Sequence, residues 1–180
     1  ARVAYVTSKG FSDVLSLGRQ EREQVYDLRQ PERSPPVPPE RCLEVSTRIG
    51  ADGTVLAVAD DVELRGLCDQ LDKLGVEAVA VNLLFSFLQP EQERHIADCL
   101  GDRWFVSCAS VILAEVREYE RGMATWLNAS VGPVISRYLK RLQARLPDCG
   151  IAVMQSASTT IAACLLYSSS MLLWTVWYWF

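Results

Sequence analysis

A short charged block near the start of the chain carries residue types that can bind an anion. Arg19, Gln20 and Arg22 come just after a glycine, and Tyr26 and Asp27 follow a few residues later. Guanidinium groups bind carboxylates and phosphates through paired hydrogen bonds, and a tyrosine or a carboxylate can orient such a ligand or transfer a proton. The same block also fits an exposed loop whose charges pair with one another. We take these five residues as candidate substrate contacts, and the catalytic residues stay unassigned.

A second block, with alternating charges around a tyrosine, lies in the second half of the chain. Arg117, Glu118, Tyr119 and Arg121 are its candidate substrate contacts, and Glu120 completes the run. These residues can begin a helix that faces a substrate. They can equally form surface ion pairs, which contribute little to stability. The residue types by themselves favour the surface interpretation.

Several classes of site lack the residues that they need. The chain has a single histidine, His95, and six scattered cysteines without a CxxC pair, so we predict no metal site. His95 lies in a charged stretch typical of a solvated helix surface. The cysteines are expected to be small buried hydrophobic residues. Neither the GxxxxGK[ST] nor the GxGxxG pattern of a phosphate-binding loop occurs.

The amino-acid composition and net charge indicate an ordinary globular protein. The chain has 180 residues, of which 49% are hydrophobic and 22% charged, and its net charge is -4. These values are typical of one globular domain or a piece of a larger one. The acidic balance argues against nucleic acid as a partner. No signal-peptide pattern precedes the first apolar run, and we expect a cytoplasmic protein.

The apolar pattern predicts an α/β fold. Apolar runs at 2–7, 76–85 and 104–107 indicate buried strands, and amphipathic stripes predict helices over 61–74 and 90–100. Strands that alternate with helices in this way form a parallel or mixed sheet with right-handed crossover connections.

Other segments predict further elements of the fold. Residues 41–48 and 54–58 are expected to form a β-hairpin around an Asp-Gly turn, after a proline-rich loop at 29–39. A short helix is expected over 11–17, with Gly18 as its end. Residues 115–146 indicate a helix with a joint at Gly132-Pro133, and 151–155 a last strand. The apolar stripe of that helix is predicted to contain Val134, Ile135, Tyr138, Leu139, Leu142 and Leu146.

Taken together, these blocks resemble the N-terminal region of the hydantoinase A / 5-oxoprolinase family over residues 1–156. The family pattern of the first block falls on Lys9-Gly10-Phe11, Asp13, Leu15, Gly18-Arg19-Gln20, Arg22 and Tyr26-Asp27-Leu28. Its later blocks fall on Arg117 to Arg121, Asn128, Pro133, Arg137-Tyr138-Leu139 and Met154-Gln155-Ser156. Several separate blocks in the same order make the resemblance specific.

The resemblance implies part of an ATP-dependent enzyme with an actin-like, ribonuclease-H-like lobe. Family members open five-membered cyclic amides such as hydantoins or 5-oxoproline, and relatives are subunits of acetone or acetophenone carboxylases. The shared chemistry is phosphorylation of a carbonyl oxygen, which needs ATP, Mg²⁺ and positively charged groups. The implied partners are a small cyclic amide and the rest of the enzyme or a partner subunit.

The sequence departs from the family at positions that bear on activity. The two family phosphate loops, Asp-x-Gly-Gly-Thr and Gly-Pro-Ala-Ala-Gly, are absent from this chain. The histidine of the family's His-Ser-Tyr is Phe85 here, and the glutamate before Val-Leu-Pro is Val111. We therefore expect that this chain alone neither binds ATP tightly nor hydrolyses it. A non-catalytic remnant or assembly subunit that keeps the fold is the alternative.

Residues 157–180 resemble nothing in the family and form a non-homologous apolar tail. No charged residue follows Asp148, and the stretch at 161–180 is long enough for a membrane helix, with Trp and Tyr at one end. No basic residue flanks it, and its hydroxyl residues weaken that interpretation. A truncated or frame-shifted end is the interpretation we favour, and a tail anchor or an unusual core strand or helix is the alternative.

Overall fold

The centre of the protein is a four-stranded parallel sheet, seen in a computed structural model that describes residues 1–20, 26, 34–146, 152–154 and 160–162. Its strands are β1 (Val3–Ser8), β2 (Cys42–Val45), β5 (Ala78–Asn82) and β6 (Phe105–Cys108), in the order β2-β1-β5-β6. Every residue of β1 and β5 is buried, because helices cover both faces of the sheet. The parallel α/β fold expected from the sequence is confirmed.

Two helices cover each face. On one face, α2 (Asp61–Leu74) and α3 (Pro90–Leu100) pack against alternate strand residues such as Ala4 and Val6. On the other face, α1 (Val14–Leu17) and α5 (Glu118–Arg145) pack against Val3 and Tyr5. Side chains alternate across a strand, so β1 supplies residues to both cores. The short helix α4 (Ala109–Ile112) follows β6 directly.

Helix α2 shows how local sequence sets its ends. Its N-cap Asp60 accepts a hydrogen bond from the Glu63 amide at 2.7 Å, and it ends at Gly75 with φ of 57°, the left-handed conformation that glycine adopts readily. Its apolar face buries Leu64, Leu67 and Leu71. Burial of each leucine contributes roughly 1.5–3 kcal/mol before entropic costs.

The predicted hairpin is present but shorter than expected. Cys42–Val45 pairs in parallel with β1, with Cys42 opposite Tyr5, and so belongs to the main sheet. The antiparallel hairpin is formed by β3 (Arg48–Ile49) and β4 (Val55–Ala57). The first predicted strand is therefore divided, because its beginning completes the edge of the parallel sheet.

Helix α5 differs from its prediction in two respects. It runs through Pro133 as one helix of 28 residues, so the expected joint is absent. Of its predicted apolar stripe only Leu139 is buried, whereas Val134, Tyr138 and Leu146 are exposed. The buried face consists largely of small residues, including Gly122, Ala124, Ala129 and Gly132. Small residues let the helix backbone approach the sheet closely, which leucines would prevent.

The predictions for the histidine, the cysteines and the C-terminal segments have different outcomes. His95 is exposed, as expected, and so is Cys99, for which the prediction of burial was wrong. Cys42, Cys68 and Cys108 are partly buried, and Cys149 and Cys164 lie outside the described residues. The last predicted strand is β7 (Ala152–Met154), which pairs with β8 (Thr160–Ala162). The tail beyond 162 lies outside the described residues, and none of the described helices is long and apolar enough to cross a membrane.

The close approach of α5 generates a prediction for Gly122→Ala. A Cβ atom at Gly122 would lie 2.8 Å from the Tyr5 hydroxyl and 2.9 Å from Asn82 Nδ2. We expect the substitution to lower the free energy of unfolding by about 1–3 kcal/mol, measured by urea denaturation. The matched control is Gly66→Ala in α2, where a Cβ atom would have open space beyond its own helix backbone and alanine should add up to about 1 kcal/mol. Equal effects of the two substitutions would contradict this packing.

Candidate functional site

The carboxyl ends of the parallel strands form the edge where such folds bind ligands. Strands β1, β5 and β6 end here at Ser8, Asn82 and Cys108. A narrow crevice lies at this edge between the sheet and the start of α5, and it has no room for a water molecule. It is lined by Thr7, Phe11, Val14, Asn82, Leu84 and Glu118. The crevice therefore has three apolar and three polar side chains, one of them a carboxylate.

The two charged blocks of the sequence meet at the start of α5. Arg19 Nε donates to Glu120 Oε1 at 2.9 Å, across 101 positions of sequence. The Tyr119 ring lies 3.8 Å from the place where Gly18 would carry a Cβ atom. Burial raises the pKa of Glu120, but hydrogen bonds from its own backbone and from Arg19 outweigh this and lower it. The blocks are thus parts of one surface.

The candidate contacts of the first block are only partly described. Arg22 and Asp27 lie outside the described residues, and Tyr26 is almost fully exposed. Gln20 is exposed and has a positive φ of 54°, which is uncommon for a residue other than glycine. Among the described candidate residues of this block, Arg19 is the one that forms a hydrogen bond with the second block.

The beginning of the first block connects β1 to its neighbours. Lys9 Nζ donates to Ser46 Oγ at 2.6 Å and lies 3.7 Å from Glu63 Oε1 in α2. The Gly10 amide donates to Glu44 Oε1 at 3.0 Å, with Gly10 in the positive-φ region at 84°. Glycine is suited to that conformation. These contacts fix the loop that carries Phe11 into the crevice.

In the second block, the four candidate residues lie at different depths. Arg117 is exposed, and Glu118 and Tyr119 are partly buried at the crevice side. Arg121 is completely buried. Its Nε donates to Asn82 Oδ1 at 2.8 Å and its two Nη atoms donate to the carbonyls of Glu115 and Leu83 at 2.9 and 2.7 Å. The geometry assigns Arg121 to the support of the crevice rather than to its surface.

Asn82 connects Arg121 to the wall of the crevice through hydrogen bonds. Its Nδ2 donates to Tyr5 Oη at 2.7 Å and to the Glu118 carbonyl at 3.2 Å. Burial raises the pKa of Tyr5 to about 12, while the hydrogen bond from Asn82 and the charge of Arg121 oppose that increase. Burial lowers the pKa of Arg121, and the charge of Glu93 opposes that decrease. A continuous buried polar chain thus runs from Arg121 to Tyr5.

Sequence reasoning missed Glu93, a completely buried carboxylate in α3. It accepts hydrogen bonds from the amides of Leu83 and Ser110. Its neighbours in sequence, Glu91 and Arg94, are exposed, and this charged run indicated a solvated helix surface. Its position three residues before the buried Ile96 was the available signal.

The turn after β5 contains a strained residue. Phe85 has a φ of 56°, in the left-handed region that bulky residues rarely adopt. The Ser86 amide donates to the Leu83 carbonyl at 3.3 Å, and the Leu88 amide donates to the Phe85 carbonyl at 3.0 Å. The Arg121 guanidinium lies 5.5 Å from the centre of the Phe87 ring. Such strain persists where surrounding contacts fix the backbone, and it is common near functional sites.

Comparison with known proteins assigns the chain to a family. A family model described as the hydantoinase/oxoprolinase N-terminal region matches residues 1–103. The chain is 33% identical over 163 residues to an uncharacterized protein of Methanocaldococcus jannaschii, covering 87% of this chain and 24% of that protein. It is 28% identical to caprolactamase subunit alpha of Pseudomonas jessenii and to 5-oxoprolinase 1 of Arabidopsis thaliana, with 83% and 82% of this chain covered. These matches span 22% and 13% of those two proteins.

Two solved structures have the same fold. The ATP-dependent caprolactamase of Pseudomonas jessenii superposes with a TM-score of 0.75 at 24% identity, and nucleotide-free acetone carboxylase with 0.73 at 19%. The match covers 94% of this chain in both cases, and 27% and 26% of the two solved chains. The chain thus spans about a quarter or less of the length of the relatives it matches here.

The burial of Arg121 generates a stability prediction. Arg121→Met removes the donor of Asn82 Oδ1 and of the Glu115 carbonyl, and it leaves the Leu83 carbonyl with the 3.3 Å hydrogen bond from the Ser86 amide. We therefore expect the free energy of unfolding to fall by about 3 kcal/mol. The control is Arg19→Met, whose ion pair is half exposed and should contribute less than about 1 kcal/mol. Urea denaturation of both variants measures the difference. A loss for Arg121→Met no larger than that of the control would contradict the assigned role.

The raised pKa of Tyr5 generates a pH prediction. The ordinary pKa is 10.0 and the folded value about 12, so folding favours the neutral phenol. This contribution is complete below pH 10 and is lost as the pH rises toward 12, by up to about 1.4 kcal/mol for each pH unit. We expect the free energy of unfolding to fall more steeply above pH 10 in the wild type than in Tyr5→Phe. Urea denaturation across this range would show parallel curves if Tyr5 were not the cause.

Proposed function

The chain belongs to the hydantoinase/oxoprolinase family, and we propose that it forms the substrate-side part of an ATP-dependent enzyme that opens a small cyclic amide. The observation that carries this proposal is the meeting of the two charged blocks, through Arg19 and Glu120, at the start of α5, where Glu118 lines the crevice at the carboxyl edge of the sheet. Relatives named 5-oxoprolinase and caprolactamase support a cyclic amide as the substrate class. A five-membered ring of the hydantoin or 5-oxoproline type is the substrate we propose.

The crevice residues have chemistry that suits such a ring, and in this proposal the walls of the crevice separate to admit it. Glu118 can accept a hydrogen bond from a ring N–H group, and Phe11, Val14 and Leu84 can contact ring carbon atoms. Arg19, which pairs with Glu120 near the start of α5, supplies positive charge for an ionised substituent such as a carboxylate. In this proposal the chain binds and orients the amide for a reaction whose other groups lie elsewhere in the enzyme.

The described residues do not fit ATP and Mg²⁺. Among them no group of three or more His, Cys, Asp or Glu side chains is arranged to hold a metal ion. The sequence also lacks a glycine-rich loop whose amides could surround phosphates. ATP with Mg²⁺ would supply phosphorylation of the carbonyl oxygen, and we place its binding site on another part of the enzyme or on a partner subunit. Relatives named as enzyme subunits support such a partner. We also propose that the enzyme is cytoplasmic.

A non-catalytic assembly subunit is the second candidate. It is favoured by the same lack of a nucleotide-binding donor set and by Phe85, which stands where the family motif has an ionisable histidine. Such a subunit would keep the fold and the partner surface without binding a cyclic amide. The two candidates therefore differ in whether the crevice binds a ligand.

An NMR titration of the purified chain tests the proposal. Addition of hydantoin or 5-oxoproline should shift the amide signals of Thr7, Leu84 and Glu118. Glu118→Gln should weaken these shifts, since it removes the charged acceptor. Glu115→Gln, a variant of an exposed side chain nearby, is the control. Absence of shifts with every cyclic amide tested would reject the substrate-side role and favour the assembly subunit.

A second experiment tests whether the purified chain hydrolyses ATP. We expect the purified chain to hydrolyse no ATP above a heat-killed control, because the residues that would hold the phosphates are not among its motifs. Release of phosphate is measured with ATP and Mg²⁺ in excess. ATP turnover above the control would show that the nucleotide site lies within this chain.

A further inference from the structure

A single buried carboxylate connects the two loops that leave the carboxyl edge of the sheet. Glu93 Oε1 accepts the Leu83 amide at 2.9 Å, and Glu93 Oε2 accepts the Ser110 amide at 2.7 Å. Leu83 is the first residue after β5, and Ser110 is the second residue after β6. Each oxygen thus holds one loop, and the two loops are fixed to each other through one side chain.

The Leu83 peptide is also held from its other side. Its carbonyl accepts a hydrogen bond from Arg121 Nη2 at 2.7 Å, while its amide donates to Glu93. Glu93 and Arg121 are both completely buried. A buried charge persists only where partners compensate it, and here a carboxylate and a guanidinium act on the two ends of one peptide unit.

Leu83 immediately precedes the parts of the loop that form the site. Leu84 lines the crevice and Phe85 is the strained residue at φ of 56°. A displacement of the Leu83 peptide would therefore move the crevice wall and allow Phe85 to relax. Ser86 and Ser110 also place hydroxyl groups near Glu93, and neither hydroxyl makes a hydrogen bond of normal geometry.

We propose that Glu93 is the positioning residue of this site, which holds the loops after β5 and β6 in the arrangement from which the crevice opens to a ligand. The proposal rests on the proposed function for the identity of that ligand, and on hydrogen bonds alone for the positioning. Glu91, two residues earlier in the same helix, is exposed and pairs with Arg94 on the helix surface. The two glutamates therefore form a matched pair for experiment.

Glutamine is the informative replacement because it keeps the shape and changes the hydrogen bonding. A carboxylate offers two acceptor oxygens, whereas an amide offers one acceptor and one NH₂ donor. In Glu93→Gln the NH₂ group of the glutamine replaces one of the two oxygens. The backbone N–H group of either Leu83 or Ser110 then faces another donor instead of an acceptor. One of the two loops should detach, with Glu91→Gln as the unaffected control.

The experiment compares backbone NMR spectra of the full chain in the wild type, Glu93→Gln and Glu91→Gln. We expect the Leu83 and Ser110 amide protons of the wild type to lie downfield and to shift together with pH, as both report on one carboxylate. Burial raises the pKa of Glu93, and Arg121, Cys108, Ser86 and Ser110 are the groups from neighbouring elements that interact with it. In Glu93→Gln at least one of the two signals should move upfield, with shifts extending to Leu84 and Phe85.

The ligand arm uses whichever cyclic amide binds the wild-type chain. Its dissociation constant should rise about tenfold in Glu93→Gln, the effect of about 1.4 kcal/mol, and stay unchanged in Glu91→Gln. Shifted loop signals with unchanged ligand affinity would overturn the positioning role. If no cyclic amide binds the wild type, the proposed function fails, and the crevice signals alone decide: unchanged Leu84 and Phe85 signals in Glu93→Gln overturn the proposal.

A second variant covers the case in which Glu93→Gln does not fold. Glu93→Asp keeps the two acceptor oxygens but shortens the side chain by one methylene, so it can reach only one loop at a time. We expect the wild-type shift to persist for one of Leu83 and Ser110 and to be lost for the other. Retention of both signals and of ligand affinity in Glu93→Asp would contradict the proposal.

Discussion

Two buried charges of opposite sign hold one peptide unit, and the carboxyl edge of the sheet depends on that arrangement. The Leu83 amide donates to the Glu93 carboxylate and the Leu83 carbonyl accepts from the Arg121 guanidinium. Neither charge is exposed, so each relies on the other and on the backbone for compensation. Removal of either partner leaves an uncompensated buried group. The position of the loop after β5, and with it Leu84 in the crevice, follows from this constraint.

The Arg121 guanidinium can reach the Leu83 peptide because α5 packs closely on the sheet. Gly122 lies directly beside Arg121 and faces Tyr5 and Asn82 at distances that leave no room for a side chain. The helix backbone can therefore come near enough for the guanidinium to reach the Asn82 side chain and the Leu83 carbonyl. The same packing positions the two partly buried glutamates of the second charged block. Glu118 lines the crevice and Glu120 pairs with Arg19.

Much of the fold was predictable because its signals are local. Fully apolar runs such as β5 and capped amphipathic helices such as α2 are set by burial and by backbone preferences of nearby residues. The limits of the hairpin were not predictable, because pairing of Cys42–Val45 with β1 depends on a distant strand edge. The stripe of α5 was wrong for a similar reason. Which face of a helix is buried depends on how closely the sheet approaches, and small residues carry little hydrophobic signal.

The sequence by itself determined the family, the parallel α/β architecture and the residue types available to the site. Tertiary structure alone decided which charges are exposed and which are buried. Arg19 and Glu120 stay partly accessible as a pair, whereas Arg121, adjacent in sequence to Glu120, is completely enclosed. Likewise Glu91 is exposed and Glu93 is buried two residues later in one helix. The physical reason is that burial of a charge depends on hydrogen-bond partners supplied by other strands and loops, and these partners lie far away in the sequence.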